Sequence, residues 1–163
     1  MRRRLILLMI PALFLIAAPT VKEKSTDKPQ PVKHKVLKHG NFTPFSINLD
    51  MKDPKNYPIL KVYENKNDFA KGWRKVLAEN PEKVPEVNFS TGRAVIAVSR
   101  PRSDSHSDFK LLGVFETKKG VKLEIQATRK EGIGLTIVTA PRFWVLEIPR
   151  GDQKVYMEEV KEE

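Results

Sequence analysis

The chain has 163 residues, enough for one domain with appendages. A hydrophobic share of 40% with 31% charged residues describes a globular protein with a well-solvated surface. Cysteine is absent, which excludes disulfides, thiolate metal centres, cysteine nucleophiles and lipid attachment through cysteine.

The formal charge is +10. Arg2, Arg3 and Arg4 lie in the first 19 residues, which hold no acid. The remainder therefore has 27 basic against 20 acidic residues, or +7. Such a surface suits acidic proteins, anionic headgroups or a polyanion. A mixture of Lys and Glu is equally the ordinary route to solubility.

Residues 1–19 have the layout of an export signal. A positive leader, Met1 to Arg4, precedes the apolar run Leu5 to Ala18, and Ala17-Ala18 are the small residues near a cleavage point. The run falls short of the roughly 20 residues of a spanning helix. Pro19 disfavours cutting after Ala18, so an uncleaved N-terminal anchor is the alternative. Either way the chain is expected to be exported: periplasmic, cell-surface or secreted. Residues 20–40 read as a flexible basic linker, rich in Lys and Pro and without apolar periodicity. His34 and His39 lie in it with no metal-ligand spacing.

A single β-rich domain is expected over residues 41–163. Phe45, Ile47 and Leu49 alternate with polar residues and suggest a strand, and Ile59–Tyr63 suggests a second. Phe69, Trp73, Val76 and Leu77 then lie on one face of a helix over residues 68–79, with Asn67 as its N-cap and Asn80-Pro81 as its stop. Arg93–Val98 is the clearest strand, nearly uninterrupted in apolar character, as befits a strand covered on both faces. Everything else is expected to pack on it. Phe109–Phe115 and Val121–Ala127 form a hairpin around Lys118-Lys119-Gly120. Leu135–Val138, Phe143–Ile148 and Lys154–Val160 are further strands. The fold class is mainly β: an antiparallel β-sandwich or partly open barrel of about seven strands with one packed α-helix.

This order of elements resembles the C-terminal domain of the protease complex subunit PrcB family. The pieces that carry the likeness are Val62-Tyr63, the Phe69–Trp73 helix, Val87-Asn88-Phe89-Ser90, Ala94–Val98, the loop from Arg100 to Asp108, and the run from Thr139 to Pro149. Asn88 stands where that family usually has an acid, and Ser103 to Asp108 replaces a Gly-Gly-Tyr-like run. The resemblance implies an exported, non-enzymatic interaction domain, in some members part of a protease complex. The expected partner is another envelope or secreted protein, with a protease as one candidate. No nucleic acid is expected, and membrane only through an uncleaved N-terminal segment.

Three constellations bear on a site. Ser103 to Asp108 contains the residue types of a hydrolase triad, but sequence neighbours diverge and cannot form a nucleophile–base–orienter line. If that loop is extended, Asp104, His106 and Asp108 share one face about 6–7 Å apart, and the alternative function is a small-ligand or metal-binding envelope protein that uses the 100–108 loop. Arg100, Arg102 and Arg142 with Phe143 and Trp144 form a candidate partner-binding surface, because Arg and Trp are enriched at interface hot spots. Phe143 and Trp144 alternate along one strand, so one is expected inward and the other outward. No cofactor and no enzymatic activity are expected.

Overall fold

The computed structural model describes residues 28–42, 55, 57–76, 84–101, 107–129 and 141–160. The expected export signal, the expected strands at 45–49 and 135–138, and the last part of the expected helix lie outside them.

The described elements are β1 (Gln30–Pro31), β2 (Lys35–Asn41), β3 (Ile59–Tyr63), α1 (Lys66–Val76), β4 (Gly92–Val98), β5 (Ser107–Thr117), β6 (Gly120–Arg129), β7 (Arg142–Pro149) and β8 (Val155–Val160). They form two four-stranded sheets, ordered β1-β5-β6-β8 and β2-β7-β4-β3. The sheets remain separate, so the fold is a sandwich and not a closed barrel. Neighbouring strands are antiparallel, except that β6 and β8 run parallel.

β4 is the centre of the molecule. Every one of its residues is buried. Ala94, Ile96 and Val98 face α1 together with Phe69, Trp73, Val76, Phe143 and Val145. Val95 and Ala97 face the other sheet, among Leu123, Ile125, Trp144, Leu146 and Ile148. The β2-β7-β4-β3 sheet is therefore a middle layer, with helix on one side and sheet on the other. That explains the unbroken apolar run: alternate side chains enter two cores, each full burial contributing about 1.5–3 kcal/mol.

α1 begins earlier than the sequence suggests. Asn65, not Asn67, is the cap: its Oδ1 accepts from the Asp68 backbone N–H at 2.9 Å, and its Nδ2 donates back to Asp68 Oδ2 at 2.8 Å. This reciprocal pair satisfies a helix-end donor that would otherwise be orphaned. Phe69, Gly72, Trp73 and Val76 form the buried stripe. Glycine costs a helix about 1 kcal/mol. Here it makes room, because a Cβ on Gly72 would collide with the Tyr63 ring. Among the described residues no helix is long and apolar enough to cross a membrane.

The expected linker over residues 20–40 needs correction where it is described. Its second half supplies β1 and β2, which edge the two sheets: β1 pairs with β5 and β2 with β7. Most of β2 is exposed or half-buried, and Leu37 is its contact with the core. Backbone pairing holds this segment, and backbone pairing leaves little apolar trace in sequence.

Candidate functional site

The antiparallel registers bring four strand ends of the middle sheet together: the last residues of β2 and β4 and the first of β3 and β7. The start of β5 and the end of β6 join them from the other sheet. The connections β2–β3, β4–β5 and β6–β7 all leave from this end. Loops on a rigid sandwich end are the usual carriers of recognition.

A polar clamp closes this end. The fully buried Ser99 donates its backbone N–H to the Arg142 carbonyl at 2.8 Å, and its Oγ accepts from the Arg142 N–H at 2.9 Å. The Arg142 side chain then crosses between sheets. Its Nε donates to Asp108 Oδ1 at 2.6 Å and its Nη2 to Oδ2 at 2.8 Å. Asp108 Oδ1 also accepts the Phe109 N–H at 2.8 Å. Each side chain of the pair is 25% exposed. The paired geometry matches a planar guanidinium to a carboxylate. It raises the Arg142 pKa through the Asp108 hydrogen bonds, against the opposing effect of burial.

This clamp redistributes the sequence candidates. Arg142 and Asp108 are each other's partner. Arg142 is thus a structural bridge before it is a contact residue. Asp108 has both oxygens occupied, so a metal would have to displace a guanidinium to use it. Arg102, Asp104 and His106 lie outside the described residues. Among the described residues, no three His, Asp or Glu side chains gather as a metal site would need.

The expectation of one outward aromatic also needs correction. Phe143 is 8% exposed and Trp144 5%, on opposite faces of β7. Phe143 packs in the helix-side core and Trp144 between the sheets. Both are packing residues because the middle sheet has no solvent face. The uninterrupted run Phe143–Leu146 carried the same signal as Arg93–Val98.

Arg100 is exposed, as a contact residue should be. It lines a groove of about 290 Å³ with Pro58, Ile125, Met157, Glu158 and Glu159. The groove lies beside β3 and β8, the outer strands of the two sheets on that side of the sandwich. Ile125 is buried and Met157 partly so, giving an apolar floor. Glu159 stands opposite Ile125 in the parallel register, so the two share a face. Glu158 is held at 3.3 Å by Lys122, which also pairs with Glu124. These two glutamates raise the Lys122 pKa, Glu124 most strongly, with burial opposing.

A second concavity, of about 530 Å³, lies at the opposite end, where Lys33, His34 and Lys35 meet Asn88, Thr91, Gly92 and Pro149. Sequence reasoning passed over it because residues 33–35 read as tether. Comparison with known protein families, with curated proteins and with solved structures finds no match for this chain.

Proposed function

We propose that this chain is an exported protein-binding module, an accessory or regulatory subunit of an envelope protease complex, as the likeness to the PrcB family implies. The observation that carries the binding reading is the Arg100 groove. Its floor is Ile125 and Met157, and its rim joins one exposed guanidinium to two glutamates. An apolar floor with a polar rim is the anatomy of a protein contact, and a Met-bearing floor adapts to different side chains. Arg100 supplies the fork that recognises a partner carboxylate. In this reading the module has no catalytic step of its own: it holds a partner at the loop end while the sandwich acts as a rigid support.

The test is capture of the envelope partner by wild type, Arg100→Glu and Met157→Asp, with melting followed in parallel. Arg100 is exposed at the rim, so its substitution should leave folding intact, whereas Met157→Asp places a carboxylate in the half-buried floor and should lower the melting point without unfolding the domain at the capture temperature. Both should lower capture at least tenfold, about 1.4 kcal/mol or more. A photo-crosslinking residue in place of Met157 should label the captured protein, and one in place of Lys71 on α1 should not. Unchanged capture by both variants, or labelling only from position 71, would show that the contact lies elsewhere.

A further inference from the structure

The end of the sandwich away from the Arg100 groove collects the turns β5–β6 and β7–β8, and the β1–β2 crossing between the sheets runs beside it. We propose that this end is a docking surface for the anionic headgroups of a membrane.

The charge distribution leads to it. Lys33, Lys35, Lys118, Lys119, Arg150 and Lys154 are all exposed there. The backbone ties their turns into one surface: the Val121 N–H donates to the Lys154 carbonyl at 2.9 Å, and the Arg150 N–H donates to the Thr91 carbonyl at 2.9 Å. Nearby acids each have a partner, although Glu64 and Glu116 are themselves exposed. Glu64 faces the buried Arg93 at 3.6 Å. Glu116 accepts from Gln153 at 2.6 Å, and Glu147 from the Asn88 N–H at 3.3 Å. Asp152 is the acid of the β7–β8 turn, and the six cations outnumber these four acids, so the outward field is positive.

Shape and chain path agree with this. Lys33 and Lys35 flank the 530 Å³ concavity, which the turn preceding β4 and the end of β7 also line, with Glu147 as its one acid. That turn is stiff: Ser90 N and Oγ both donate to Asn88 Oδ1, and the Gly92 N–H to the Asn88 carbonyl at 2.8 Å. Val36, 42% exposed, stands next to Lys35 and offers a shallow apolar contact beside the lysines. The chain enters the fold here as well. Residues 19–27 separate the apolar run ending at Ala18 from Lys28. Fully extended they reach about 30 Å. An apolar run retained in a bilayer would hold this basic end against the lipid surface and turn the Arg100 groove outward. Point-charge lysines suit a diffuse anionic surface, and attraction of that kind acts within about a Debye length, roughly 10 Å at moderate salt.

The experiment uses the full chain with vesicles of phosphatidylcholine alone or mixed with phosphatidylglycerol. The apolar run contributes equally to both, so the quantity read is the gain on adding the anionic lipid. Wild type should show a gain that shrinks at high salt. The variant K33E/K35E/K119E/K154E should lose the part of it that this end supplies, since each cation near the surface is worth about fivefold and four together are worth up to about 600-fold. Its melting should stay near wild type. The variant K71E/R74E/K75E, on the exposed face of α1, should keep the gain. An equal loss in the α1 variant, or no gain for wild type, overturns the proposal. Soluble glycerol phosphate that removes the gain at concentrations matching the vesicle lipid would do so too, by making the concavity a small-anion site. None of this depends on a protein partner at the opposite end.

Discussion

If the Arg142–Asp108 clamp joins the two sheets, the energies of its members should be coupled. The perturbation is a double-mutant cycle with Arg142→Gln, Asp108→Asn and both together. Two charge-assisted bonds at 2.6 and 2.8 Å set the upper limit: hydrogen bonds to charged groups contribute about 1.5–3 kcal/mol each when dry. Exposed ion pairs contribute about 0–1 kcal/mol. Side chains 25% exposed fall between these limits, and solvent screening lowers the upper one. The expected coupling is about 1–2 kcal/mol. Each single change should cost slightly more than the coupling, because it strands a half-buried partner. Urea unfolding of the four proteins, with constant slope, is the assay. A coupling below about 0.3 kcal/mol, the scatter of independent sites, would refute the bridging role. Because Arg142 is a bridge in this account, its substitution should weaken partner capture only as far as it loosens the fold.

Other expectations follow from the packing. Trp73→Ala should cost about 3–5 kcal/mol, since the indole is 2% exposed between α1 and the sheet; a urea midpoint close to wild type would place it at the surface. Phe143→Ala and Trp144→Ala should each cost about 3 kcal/mol or more, and a neutral result for either would restore it as an outward contact residue. Gly120→Ala should destabilise by about 1–3 kcal/mol, because Gly120 has φ of +127° and an added Cβ would meet the Lys154 carbonyl. Stability should fall at alkaline pH. The folded state raises Lys122 above 10.5 through Glu124 and Glu158, and raises Tyr57 and Tyr63 above 10.0 by burial. A raised folded pKa means the native state keeps its proton longer. Its stabilisation is complete below the unfolded value and is lost as pH climbs through the folded one. The urea midpoint should therefore hold to about pH 10 and fall above it, less steeply in Lys122→Met; a flat profile to pH 11 would contradict the burial of these groups.

What could be read from sequence follows a physical line. β4 was legible because a strand covered on both faces must be apolar throughout, and Arg93–Val98 nearly is. The α1 stripe was legible because Phe69, Trp73 and Val76 repeat at helical spacing, while its cap was misplaced by two residues between two asparagines equally suited to the role. β2 was not legible. An edge strand needs little core contact: Leu37 packs inward and Lys38 lies over the Trp73 ring, while Lys35 and His39 stay exposed. The Arg142–Asp108 clamp was hidden for another reason. Its members lie 34 positions apart, and nothing local to either marks a pairing made by the docking of two sheets. The same long-range event decided Phe143 and Trp144, whose fates depended on whether the second face of β7 met water or another sheet.

The position of β7 sets the order in which this molecule can be finished. β7 lies between β2 and β4 in its sheet, yet both precede it in the chain. Until β7 is in place β2 has no neighbour, and β4, the most apolar strand, has one open edge. Closure is thus non-local, which slows folding and prolongs the exposure of strand edges. If the proposed export holds and the chain is threaded through a membrane N-terminus first, the sheet would stay incomplete until most of the polypeptide had passed, and the translocating chain would not lock prematurely. A chain stopped before β7 would instead leave β4 as a naked, aggregation-prone edge.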